Sequence, residues 1–146
     1  MSPAITLHVL PPSHPCMTAE AALRLKGLEY ERVALEPGKH PAAMAEIYGE
    51  GKTTVPGMVV DGEPVHGSLA ISACLEELVA EPSLFAGEHA DRVREAEVWG
   101  DGEPQDLGRR LPWGAMHLRP EAMGTFGGAE ALDGPGTDFA IAYVRA

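Results

Sequence analysis

Three short stretches of this chain carry side chains able to do chemistry. The first, Ser13-His14-Pro15-Cys16, sets a hydroxyl, an imidazole and a thiol ahead of a segment of strong helix formers. A thiol at a helix N-terminus ionises more readily and becomes a better nucleophile, while a serine there is equally suited to capping the helix. His14 reads as a solvated loop histidine. The second stretch is Thr54-Val55-Pro56, whose Val-Pro bond is of the one kind that adopts the cis form at modest cost. The third is Gly67-Ser68, where a serine opens an apolar-periodic run; a hydroxyl and N–H at a helix start suit a bound carboxylate. Cys16 and Cys74 are the two cysteines of the chain. They lie too far apart for a metal-binding CxxC pair, so no metal is expected and both thiols read as reduced.

The elements that must position these groups follow from periodicity and punctuation. Ile5 to Leu10, closed by Pro11-Pro12, predicts a buried strand. Thr18 to Lys26 predicts a first helix with Ala21, Leu25 and Leu28 inward and Gly27 as its left-handed stop. Tyr30 to Leu35 predicts a second strand and completes a βαβ unit. His40 to Tyr48 predicts a short helix with Met44 and Ile47 inward. Asp61-Gly62, set between Met58–Val60 and Pro64–His66, predicts an antiparallel hairpin. Ser68 then N-caps a helix whose Ile71, Cys74, Leu75 and Leu78 form an i, i+3, i+4, i+7 stripe.

The order βαβ-α-ββα makes an α/β domain over residues 1–81, a four-stranded mixed sheet between helices. Residues 82–146 predict a short all-helical segment. Within it a charged helix runs from Glu88 to Trp99 with Val93 and Ala96 inward, and Gly100, Gly102 and Pro104 break it. Helix resumes over Leu107 to Leu118, with a last stretch over Thr137 to Arg145.

Composition narrows the function. With 45% apolar and 23% charged residues the chain is that of a folded globular protein. Its net charge of -11, from 22 acidic against 11 basic residues, repels phosphate backbones and anionic headgroups, so neither nucleic acid nor a membrane surface is expected as a partner. No apolar run approaches the ~20 residues that span a bilayer and no signal peptide opens the chain, so a cytoplasmic location is expected.

Ser13-His14-Pro15-Cys16, a helix ending in Lys26-Gly27-Leu28-Glu29-Tyr30-Glu31, Thr54-Val55-Pro56, the Asp61-Gly62 hairpin and Gly67-Ser68-Leu69-Ala70-Ile71 follow in order. From Ile5 to Val79 this succession resembles the N-terminal domain of cytosolic glutathione S-transferases. The resemblance implies a thioredoxin-like fold, glutathione as co-substrate, and no metal or redox cofactor. It gives Ser13 the role of donor to the glutathione sulfur, with Cys16 as the rival acting residue, since some members use a cysteine near this helix start. It makes Val55-Pro56 a cis-proline loop whose Val55 N–H and C=O pair with the cysteinyl moiety, and Ser68 the holder of the γ-glutamyl carboxylate. Gly67 departs from the pattern, because the family usually has an acid immediately before the serine; its absence implies weaker binding unless a neighbour such as His66 or Glu63 compensates. In the family an all-helical domain supplies the pocket for a hydrophobic electrophile, and here Trp99, Trp113, Met116 and Met123 either line such a pocket or fill a core. Members are commonly homodimers.

The expected function is therefore that of a glutathione S-transferase of the detoxification type, which activates glutathione's thiol for attack on an electrophile. A Cys16-dependent thiol reductase and a non-catalytic thioredoxin-fold binding module stand beside it. Gly67 and the short helical part keep the last in view.

Overall fold

A computed structural model describes residues 2–11 and 13–119. In chain order the elements are β1 (Ile5–Val9), α1 (His14–Leu25), β2 (Glu31–Ala34), α2 (His40–Tyr48), β3 (Gly57–Val60), β4 (Glu63–His66), α3 (Ser68–Leu78), α4 (Ala90–Asp101) and α5 (Glu103–Leu118). The sheet has the order β2-β1-β3-β4, with β1 parallel to β2 and antiparallel to β3, and β3 antiparallel to β4. This is a thioredoxin-like βαβαββα core followed by a short helical extension. A first compact unit runs to Glu95 and a second begins at Ala96.

Strand register divides the sheet into two faces. Ile5 pairs with Val60 and Leu7 with Met58, and these side chains, with Val9, form one buried layer. Against it pack Cys16, Ala19, Ala22 and Leu23 of α1 and Ile71 and Leu75 of α3. Leu7, Leu23, Met58, Ile71 and Leu75 are wholly excluded from solvent. The other face carries the alternate residues, among them His8, Gly57 and His66, as the two-residue period of a strand requires.

Local signals set most element ends. Gly27 takes φ 66° just past α1, and Asp61 and Gly62 take φ 50° and 92° between β3 and β4, the paired positive values of the tight hairpin turn that Asp-Gly favours. Pro15, Pro41 and Pro104 each stand in the first turn of a helix, where the missing N–H costs nothing. The interruption expected around Gly100 to Pro104 is a turn at Gly102 between α4 and α5.

Several expected faces and ends differ. Helix α1 starts at His14, four residues ahead of Thr18, because Pro15 begins a helix as readily as it ends one. Ala21 and Leu25 point outward, and the inward stripe is Cys16, Ala19, Ala22 and Leu23. Ile47 and Leu78 are likewise exposed. Gly67, not Ser68, is the N-cap of α3. In α4, which starts at Ala90, Val93 and Ala96 are exposed and no residue is buried. The stretch Thr137 to Arg145 lies outside the described residues.

Within the first unit, a polar knot fastens the residues that follow α3 to the end of α1. The Lys26 side chain is fully buried, and its ammonium donates to Glu76 Oε1 at 2.5 Å and to the Val79 carbonyl at 2.6 Å. Glu76 also accepts from Ser83 Oγ at 2.8 Å and from Leu84 N at 2.6 Å. These hydrogen bonds, led by the Leu84 N–H, hold the Glu76 carboxyl down to about 2. Phe85 N donates to Ser83 Oγ at 3.0 Å, and the Arg94 guanidinium sits 4.6 Å from the centre of the Phe85 ring.

Candidate functional site

Strand register gathers the chemistry at one edge of the sheet. His8 lies opposite Gly57, and Gly57 opposite His66. Three connections leave from that row: β1 runs on through Leu10 to Ser13 and α1, the Thr54-Val55-Pro56 segment leads into β3, and β4 passes through Gly67 to Ser68 and α3. The described positions Ser13, Cys16, Val55, Pro56, Gly67 and Ser68 thus belong to segments that meet at the same edge.

Ser13 holds the N-cap of α1 in extended backbone, φ -130° and ψ 120°, and its carbonyl accepts from Met17 N at 3.0 Å. Its side chain makes no capping hydrogen bond. The hydroxyl acts instead on the Cys16 thiol, favouring its ionised form. Cys16 is buried, and that burial pushes its thiol up, opposed by the Ser13 hydroxyl and the Leu10 backbone. The dipole of α1 acts on a thiol already desolvated. His14 is exposed, as a solvated residue should be.

The Val55-Pro56 peptide is cis, and Pro56 is fully buried. Its carbonyl accepts from Gly67 N at 3.0 Å, so the proline loop and the turn entering α3 are joined directly. Gly67 takes φ 92° and ψ 152°, where a side chain is strained. The missing acid therefore coincides with a backbone shape that glycine alone adopts without cost. Ser68 is the first residue of α3 and partly buried. Glu63 pairs with Val60 at the hairpin end of β4, a whole strand away from Gly67, and supplies no carboxylate there.

Beneath this edge lies a cluster that the sequence reading passed over. Tyr48, the last residue of α2, sets its ring where a Cβ at Gly57 would stand. Its hydroxyl is 2.7 Å from His8 Nδ1, the two rings meeting edge-on with centroids 5.7 Å apart. On the other side the Tyr48 ring lies 5.6 Å from that of His66. Burial pushes the His8 imidazole down against the opposing Glu31 charge, and pushes the Tyr48 hydroxyl up, so both are neutral at pH 7. Only Gly57, a glycine within a strand, hinted at such a close approach.

Of the residues considered for a hydrophobic pocket, Trp99 is 66% exposed; Met123 lies outside the described residues, as do the side chains of Trp113 and Met116. Among the described residues no group of three or more His, Cys, Asp or Glu is placed to hold a metal ion, and no helix is long and apolar enough to cross a membrane.

Residues 7–83, more than half of the chain, match a family model described as the glutathione S-transferase N-terminal domain. No curated protein matches. Among solved structures, a glutathione transferase homolog from Burkholderia gl BGR1 with bound glutathione is 22% identical at a TM-score of 0.60, the match covering 82% of this chain and 67% of that one. A Tau class glutathione S-transferase from mango, Mangifera indica, is 18% identical at a TM-score of 0.55, over 97% of this chain and 57% of that one. A rice enzyme in complex with glutathione is 21% identical at 0.53, over 85% and 65%. At these identities the likeness is one of fold, and the chain spans less than two thirds of the length of the mango and rice proteins.

Proposed function

Because this chain belongs to the family of glutathione S-transferase N-terminal domains, we propose that it binds glutathione at the edge formed by Val55, Pro56, Gly67 and Ser68 and activates its thiol at Ser13. The observation that carries this reading is the 3.0 Å bond from Gly67 N to the Pro56 carbonyl. It joins a proline loop able to pair with a peptide's backbone to a helix start able to take a carboxylate, as a γ-glutamyl tripeptide requires. No cofactor beyond glutathione is invoked.

Ser13 suits the acting role because its hydroxyl is not engaged in capping α1. Donating to the glutathione sulfur, it lowers the free energy of the thiolate, so that the thiol gives up its proton to solvent and the thiolate forms a C–S bond to an electrophilic carbon while the leaving group departs with the bonding pair. Cys16, buried with its thiol pushed up, is a poor nucleophile by comparison.

Titration of reduced glutathione by calorimetry tests the binding, and no heat of binding would remove it. With binding in hand, Ser13→Ala should leave affinity nearly intact, raise the apparent pKa of the bound thiol and slow conjugation to an activated aryl chloride at neutral pH. Cys16→Ser should alter stability more than rate. Loss of turnover in Cys16→Ser alone, with an unshifted pH-rate profile in Ser13→Ala, would instead establish a Cys16-dependent reductase.

A further inference from the structure

His66 has no part in the reading above, yet its ring touches the site on two sides. It is the last residue of β4, one before Gly67. Its Nε2 lies 2.8 Å from the Thr54 carbonyl. A carbonyl oxygen only accepts, so Nε2 carries the hydrogen and donates it. The ring is steadied by Tyr48, tilted 48° against it at 5.6 Å, and Tyr48 is itself held by His8 and by the space that Gly57 leaves open.

The next residue makes the second fastening. Gly67 N donates to the Pro56 carbonyl at 3.0 Å. Thr54 and Pro56 are the two neighbours of Val55, so consecutive residues of one strand end grip the loop on both sides of it. A peptide that adds to the loop as a strand bonds the Val55 N–H and C=O, and its affinity depends on these being set in place beforehand. The glycine at residue 67 contributes only a backbone bond; the side-chain share of this support falls to His66.

We propose that His66 is a positioning residue of the glutathione site: by bonding the Thr54 carbonyl while Gly67 bonds that of Pro56, it presets the Val55 backbone for the ligand's cysteinyl moiety. This rests on the function proposed above. The Thr54 bond lies at the surface, where water competes for both partners, so its loss has a small effect on folding and shows in the order of the loop.

Two variants separate the hydrogen bond from ring volume. His66→Phe keeps a ring against Tyr48 and lacks the donor, whereas His66→Gln supplies an amide N–H in nearly the place of Nε2. Reduced glutathione titrated by calorimetry should bind His66→Phe about tenfold more weakly than wild type, and His66→Gln within about threefold of wild type. With an activated aryl chloride as second substrate, KM for glutathione should rise in His66→Phe while kcat holds. Equal affinity in His66→Phe and wild type overturns the assignment, and so does an equal loss in both variants, which would trace the effect to volume alone. Absence of binding by wild type removes the function proposed above and this role with it, a result distinct from either of those.

Discussion

Helices α3 and α4 differ in length by a single residue, eleven against twelve, yet α3 buries Ile71, Ser72 and Leu75 while α4 buries nothing. The cause lies in the distribution of apolar side chains around each axis. Ile71 and Leu75 are four apart and fall on one face, which meets the layer made by β1 and β3. In α4, Val93, Val98 and Trp99 are spread around the helix among six charged residues, and each is at least 43% exposed. Helix α5 has leucines on one side, Leu107, Leu111 and Leu118, and these too are exposed. Apolar content alone thus does not make a core; a stripe stabilises only against a surface that excludes water from it.

Leu75→Ala, a truncation at a fully buried site, should destabilise the protein by about 4 kcal/mol in urea unfolding, within the roughly 2–5 kcal/mol range for such cavities. A cost below about 1 kcal/mol would mean that α3 is not held as described.

Glu76→Ala should cost about 3 kcal/mol, because it leaves the fully buried Lys26 ammonium without its carboxylate. The same pair predicts a pH dependence. The Glu76 carboxyl is held down to about 2 in the folded chain against an ordinary 4.5, so the unfolded state takes up its proton first as pH falls. Its contribution is present in full above pH 4.5 and is lost as pH drops toward 2. Urea midpoints between pH 5.5 and pH 2.5 should fall less steeply in Glu76→Gln than in wild type; parallel slopes would show that another carboxyl governs acid unfolding.

Gly57→Ala should cost about 2 kcal/mol, since the new methyl meets the Tyr48 ring, which would have to leave His8 or His66 to make room. Nuclear magnetic resonance shifts of the two histidine rings would report that displacement, and unmoved shifts would count against the packing. The smallest effect belongs to the other helices: Leu111→Ala, at a side chain 68% exposed, should change stability by no more than about 0.5 kcal/mol. A loss comparable to that of Leu75→Ala would show that α5 has a buried face after all.

What could be read from the sequence was local. The bounds of α2 at His40 and Tyr48, the Asp61-Gly62 turn, the left-handed stop at Gly27 and the break before Pro104 each depend on a few neighbouring residues whose backbone preferences are short-range. Their order along the chain implied an α/β domain with a four-stranded mixed sheet, while the thioredoxin-like topology was implied by the resemblance that the Ser13-Cys16, Thr54-Pro56 and Gly67-Ile71 segments bear to a known family. The faces were not legible in the same way. Met17, Ala21 and Leu25 form one apolar stripe on α1 and Cys16, Ala19 and Leu23 another, and only the sheet beneath decides that the second goes inward.

The same holds for the site. Ser13, Val55-Pro56 and Ser68 stood out because helix starts and Val-Pro bonds have a chemistry that is visible from sequence alone. His66 stood out only as a neighbour of the missing acid, and its hold on the loop was not legible, since its partner carbonyl is twelve residues away and its ring support comes from Tyr48 in another element. Nor was the pairing of Lys26, whose carboxylate partner lies fifty residues on. Short-range conformational preference determined which elements form and in what order. Which side chains meet was decided by tertiary structure, because hydrogen bonds and close packing act between atoms in contact, whatever their separation along the chain.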